Sequence, residues 1–179
     1  MSQKVLDRVT EKFGAFVVST SNHRGDEAVV IRREGLLPLM KFLRDDPEMD
    51  FAMLVDVCGA DLSRLPGHDG APLQVAYHLH SLRQKHRLRV KVLVTAEDPT
   101  VDSVSHLWGS ANWAERETWD MIGIKFRGSP DHRRILLYEE FQGHPLRKDY
   151  PQRGYQPLVE MPNLPRVDQE LPPLVSEDL

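Results

Sequence analysis

Two runs of alternating side chains constrain the fold of this 179-residue chain more than any other feature: Leu73-Gln74-Val75-Ala76-Tyr77-His78-Leu79-His80 and Leu88-Arg89-Val90-Lys91-Val92-Leu93-Val94. In each, large apolar residues recur at every second position, the period of a strand with one buried face. Ser81 to His86 joins the two runs as a hairpin loop. A hairpin that is apolar on one side needs a covering layer, so the flanking sequence must supply helices and further strands.

It does so in order. Val5, Val9 and Lys12-Phe13 have approximately helical spacing within Ser2 to Phe13, and the apolar run Ala15 to Val18 follows as a strand. The turn-rich Ser21-Asn22-His23-Arg24-Gly25 separates it from a second strand, Asp26 to Arg32. Leu36, Leu37, Leu39, Met40 and Leu43 form the apolar face of a helix ending before Pro47, and Phe51 to Val57 is an apolar strand. Asp61 to Pro72 reads as a loop. After Glu97-Asp98-Pro99, residues Val101, Val104 and Trp108 fit one helical face, with Asp98 or Thr100 as N-cap. A last helix is expected from Asn112 to Ile122, with Glu115 reaching back as in a capping box and Gly123 as the stop. The expected class is α+β: an antiparallel or mixed sheet of about five strands with helices on one face.

Beyond Pro145 the texture changes, because seven of the thirteen prolines fall between there and Pro173. Such a segment is neither regular helix nor central strand. It nonetheless carries Tyr155, Leu158, Val159, Met161, Leu164, Val167, Leu171, Leu174 and Val175, which a free tail would not need. Charge divides as well. Residues 124–153 hold seven Lys or Arg against four Asp or Glu, whereas 154–179 hold one against five. The chain therefore divides into a compact α+β domain (1–123), a docking segment (124–150) and an extended proline-rich C-terminal arm (151–179).

Composition narrows the function. A net charge of -4 argues against a protein whose main task is to neutralise nucleic-acid phosphates. Cys58 is the only cysteine, so the four-thiolate set of an iron-sulfur cluster is missing. It is expected to be a small buried residue at a strand end. Lys4, Asp7, Arg8, Glu11 and Lys12 break any apolar run near the N-terminus, against a signal peptide, and no segment approaches the roughly 20 apolar residues of a membrane span. The chain reads as soluble and cytoplasmic-side, with any membrane attachment made through partners.

Several clusters imitate sites. His78 and His80 point to one strand face and could suit a metal, but no carboxylate stands at ligand spacing, and a solvated or partner-facing surface is the plainer reading. Arg87, Arg89 and Lys91 line one face of the next strand; without paired aromatics for base stacking they read as the polar side of a half-buried strand. Glu115, Glu117 and Asp120 resemble paired catalytic carboxylates, yet Arg116 would favour their ionised forms, and a general acid needs one raised pKa. Gly128 and Gly143 lack the strand-glycine-helix context of a nucleotide loop and read as bends that route the chain around a partner.

From Trp113 to Pro151 the chain packs charges, glycines and aromatics together, and Arg133, Arg134, Arg147 and Lys148 supply fixed positive charge suited to pairing with a partner's carboxylates. The ordered series Glu115-Arg116-Glu117, Asp120-Met121-Ile122-Gly123-Ile124, Phe126, Gly128, Pro130-Asp131, Arg133-Arg134-Ile135-Leu136, Gly143 and Pro145-Leu146-Arg147-Lys148-Asp149-Tyr150-Pro151 closely resembles the signature of the 30 kDa-type subunit of respiratory complex I, the proton-pumping NADH:quinone oxidoreductase. It departs from the pattern at Ser129, Tyr138 and Phe141, where His, Pro and Trp are usual. The match covers under a quarter of the chain.

The resemblance implies a non-catalytic, cofactor-free subunit of the quinone-reducing module in the peripheral arm. It implies the 49 kDa-type (D) subunit and neighbouring iron-sulfur subunits as partners, with FMN and Fe-S clusters carried on those other chains, on the cytoplasmic side of the bacterial inner membrane. Carried over by position, Glu115, Arg116, Glu117, Asp120, Arg133, Arg134, Arg147, Lys148, Asp149 and Tyr150 become the expected interface, and Arg147→Ala with Lys148→Ala is expected to weaken assembly while leaving the domain folded. Equivalent subunits of membrane-bound hydrogenases, or of complexes fed by ferredoxin or a deazaflavin, stay open as alternatives. From another class, so does a stand-alone metal hydrolase using the histidines.

Overall fold

The alternating hairpin forms the middle of the molecule. In a computed structural model that describes residues 3–66 and 71–154, it appears as β4 (Leu73–Ser81) and β5 (His86–Val94), antiparallel, with Tyr77 opposite Val90 and Leu79 opposite Leu88. Ahead of them come α1 (Gln3–Phe13), β1 (Val17–His23), β2 (Asp26–Ile31), α2 (Leu36–Asp45) and β3 (Met53–Asp61). After them come β6 (Thr100–Asp102), α3 (Ala111–Ile122) and β7 (Lys125–Arg127). The five long strands lie in the order β1-β2-β5-β4-β3, and only the β2–β5 pair is parallel. The class is thus α+β on a five-stranded mixed sheet, with three α-helices among the described residues.

One face of the sheet carries the core. Val29, Ile31, Leu54, Val75, Tyr77, Leu79, Leu88, Val90 and Val92 are all buried, and the helices add Val5, Leu6 and Val9 from α1 and Leu36, Leu39, Met40 and Leu43 from α2. Burying side chains of this size contributes about 1.5–3 kcal/mol each. The other face keeps its polar side chains: His78 stands opposite Arg89, and His80 opposite Arg87.

α3 closes the sheet at the free edge of β3. The hydroxyl of Thr118 donates to the Val57 carbonyl (3.2 Å), that of Ser110 to Leu54 (3.4 Å), and the Trp108 indole N–H to Ala52 (3.2 Å). The Leu54 and Val57 carbonyls of this edge are thereby taken up and withheld from pairing with another chain. Contact is close because β3 has a glycine there: a Cβ on Gly59 would lie 2.7 Å from Thr118 Cγ2.

Four local expectations are corrected. The first strand runs Val17–His23, not Ala15–Val18; past Val17 it is exposed throughout, a polar edge strand without the apolar alternation that would mark it. It turns into β2 through Arg24 and Gly25, both at positive φ (55° and 88°), the conformation of a tight hairpin turn. The helix expected through Val101, Val104 and Trp108 is absent: Thr100–Asp102 pairs in parallel with Lys125–Arg127, and turns carry Val104 and Trp108 inward. Glu115 forms no capping box, since its carboxylate faces Ser103 and Val104. Cys58 is exposed, because its side chain lies on the polar face of β3. The arm expected over 151–179 lies, from residue 155 on, outside the described residues.

Candidate docking surface

Gly123 ends α3 in the left-handed conformation (φ 84°), its N–H bonded to the Trp119 carbonyl. Only glycine fits: a side chain would be strained at this φ and would strike the His144 ring and the Arg147 guanidinium. Residues 128–154 then return along α3 with no helix or strand of their own. Side chains of α3 take over the work that backbone ladders do elsewhere.

Asp120 is the centre of this arrangement and is fully buried. Its Oδ1 accepts from Arg134 Nη1 at 2.6 Å, and its Oδ2 accepts from three successive backbone N–H groups, Ile135 (3.1 Å), Leu136 (2.9 Å) and Leu137 (3.0 Å). Burial alone would raise its pKa, but these donors outweigh it and hold the carboxyl below its ordinary value. Arg134 extends the knot, donating to the carbonyls of Phe141 (2.7 Å) and Gly143 (3.4 Å) and lying over the rings of Trp119 and Phe141. His144 presents Nδ1 to the Asp120 carbonyl at 3.0 Å.

Arg116 works one turn earlier, donating to the carbonyls of Arg133 and Arg134 (3.0 Å each) and pairing with Asp131 at 3.3 Å. Arg147 donates to the Ile122 carbonyl and the Lys148 N–H to Asp61 Oδ2 (2.8 Å), so the segment is also tied to the end of β3. Tyr150 stacks on Phe141. Glu115 points the other way: buried, it accepts from Ser103 Oγ and the Val104 N–H at 2.7 Å each, and burial pushes its pKa up despite those two bonds.

The residues singled out from sequence therefore fall into two sets. Glu115, Arg116, Asp120, Arg134, Arg147 and Tyr150 make contacts within the chain, all but Glu115 to or within the returning segment, while the side chains of Glu117, Arg133, Lys148 and Asp149 are exposed, Arg133 in a surface pair with Asp131. Sequence reasoning missed the apolar residues that the knot leaves outside: Trp113 (63% exposed), Leu136 (61%), Leu146 (56%) and Tyr138 (41%). Three of them lie in a stretch without periodicity, so nothing in the sequence says which way they face. On the sheet, His78 and His80 do share a face, but among the described residues no group of three or more His, Cys, Asp and Glu could hold a metal ion. That leaves the metal-hydrolase alternative without a ligand set in this region. The Cys58 thiol is pushed up to about 11 by partial burial and then by Asp56, which disfavours the nucleophilic thiolate.

The family model described as the respiratory-chain NADH dehydrogenase 30 kDa subunit matches residues 29–156. The chain belongs to this family. It is 38% identical over 153 residues to the C-type subunit of NADH-quinone oxidoreductase from Geotalea uraniireducens (strain Rf4), covering 86% of this chain and 90% of that one. To its namesake in Roseiflexus castenholzii (strain DSM 13941 / HLO8) it is 43% identical over 148 residues, 82% of each chain. Among solved structures it resembles the trypsin-resistant fragment (1-134) of Nqo5, at 33% identity and a TM-score of 0.64, over 72% of this chain and 97% of the fragment. A chain of the membrane-bound sulfane sulfur reductase, an archaeal respiratory membrane complex, shares the fold (TM-score 0.66, 15% identity, 84% and 85% covered). The chain is accordingly a structural subunit of the peripheral arm of complex I, of the 30 kDa type. Among the described residues no helix is long and apolar enough to cross a membrane.

Proposed function

We propose that residues 113–154 dock this subunit onto the 49 kDa-type (D) subunit, within the quinone-reducing module and on the cytoplasmic side of the bacterial inner membrane. In this reading 1–123 is the compact domain, 124–150 the docking segment and 151–179 an arm that continues along the partner. Electrons pass from NADH through FMN and Fe-S clusters held by other chains, and this chain holds the shape of their housing.

The observation that carries the reading is the exposure of Trp113, Leu136, Tyr138 and Leu146 on a segment whose buried charges are satisfied internally. Exposed aromatic and apolar side chains on a segment that also exposes Arg133, Lys148 and Asp149 have the composition of an interface, apolar anchors with polar neighbours. Arg147→Ala would also disturb the α3 anchor, because Arg147 bonds the Ile122 carbonyl. Leu136→Ser with Leu146→Ser changes only exposed side chains and is the cleaner test. The double variant is expected to keep the melting temperature of the isolated chain and to lose co-purification with the D-type partner. Retained co-purification overturns the assignment.

A further inference from the structure

Between β3 and α3, beside Leu146 of the returning segment, lies a cleft of about 190 Å³. Met121, Ile122 and Leu146 give it apolar walls, and among the described residues its only charged lining is Asp56 and Glu117. Small-molecule sites occupy roughly 300–1,000 Å³, so a cleft of this size suits one long side chain instead. It is continuous with the exposed anchors of the docking surface. Leu146 belongs to both, and Trp113, Glu117 and Met121 share one face of α3 at four-residue spacing.

The two carboxylates are not neutralised from within the chain. Among the described residues neither Asp56 nor Glu117 takes part in a salt bridge. Asp56 faces His78 across the β3–β4 ladder, but burial and then Arg89 hold the pKa of His78 below its ordinary value, so near neutral pH the ring is uncharged. Arg89 itself stands beyond His78 on β5, and Arg147 donates to the Ile122 carbonyl. The Cys58 thiol on the cleft wall registers the local charge: after burial, Asp56 raises its pKa most, Arg89 opposes, and Glu117 adds to the rise. Apolar walls with carboxylates at hand match a side chain whose stem is hydrocarbon and whose head is a cation. We propose that this cleft receives an arginine or lysine of the docking partner, its stem along Met121, Ile122 and Leu146 and its head at Asp56 and Glu117. The proposal rests on the docking reading for the partner and adds the residue type which that partner must present.

Asp56→Asn and Glu117→Gln keep the shape of two exposed side chains and remove their charge. Each is expected to leave the melting temperature of the full chain unchanged and to cut recovery of the D-type partner with the tagged chain at least about tenfold. Should either variant misfold, Cys58→Lys, which brings a cation of the chain's own to the cleft wall, gives the same comparison. Replacing the partner's arginines and lysines one at a time by methionine should then find one whose loss weakens recovery with the parent chain and adds nothing in Glu117→Gln. Full recovery with both isosteric variants, or no cationic residue coupled to Glu117, overturns the proposal. Leu136 does not line the cleft, so Leu136→Ser reports on docking alone. If it loses the partner while Asp56→Asn and Glu117→Gln retain it, the docking reading stands and the cleft assignment falls. If the coupled cation belongs to a different subunit, the D-type assignment falls and the cleft stands.

Discussion

Asp120 and Glu115 are both buried carboxylates on one helix, and their environments push them in opposite directions. Asp120, held below its ordinary pKa, stabilises the fold at neutral pH, and that contribution is lost only as pH falls beneath the usual aspartate value of about 3.9. Glu115 is raised, so the native state binds its proton more readily than the unfolded chain does, and stability declines as pH climbs from the ordinary glutamate value through the raised one. Urea midpoints measured across this range should show that decline in the parent and not in Glu115→Gln. Asp120→Asn should cost about 3 kcal/mol, because it leaves the Arg134 guanidinium partly buried without its counter-charge; urea unfolding measures it, and new trypsin cleavage after Arg133 or Arg134 should accompany it. At this scale the sequence was only half legible. Arg116 and Asp120 stand four apart on one helix, the less favourable order for a helical ion pair, and in the structure neither pairs with the other. Their partners, Asp131 and Arg134, lie elsewhere in the chain, where no helical spacing points to them.

The elements that could be read directly were those whose burial follows a period. β4 and β5 alternate and appear where expected, and α2 carries its buried residues on one face. β1 is polar and β6 is three residues long, so neither has a pattern to read, and the spacing of Val101, Val104 and Trp108 imitates a helix because a short strand followed by turns buries the same positions. The pairing of β6 with β7 depends on α3 bringing the chain back, which is a tertiary fact. The α3–β3 contact yields an expectation at this scale. Gly59→Ala places a methyl group 2.7 Å from Thr118 Cγ2 and should cost about 1–3 kcal/mol through overpacking. Thr118→Val keeps the shape but leaves the Val57 carbonyl without its donor, a loss of about 1 kcal/mol. Chemical denaturation of the two variants separates packing from hydrogen bonding.

Over the whole molecule, the sheet domain and the returning segment are held by different means. The domain is a layered core, whereas residues 128–154 are fastened at discrete points: Asp120 to the 134–137 loop, Arg116 to 131–134, Arg147 to the end of α3, and Asp61 to Lys148. The returning segment is therefore held in place without regular structure, and its shape depends on few groups. One consequence concerns how its loss would be noticed. Far-ultraviolet circular dichroism reports helix and strand, so a variant whose returning segment has come away would give an almost unchanged spectrum. Amide hydrogen exchange would not be deceived. The N–H groups of Ile135, Leu136 and Leu137, all on one carboxylate oxygen, should exchange slowly in the parent, like amides of a ladder, and at the rate of an open chain in Asp120→Asn.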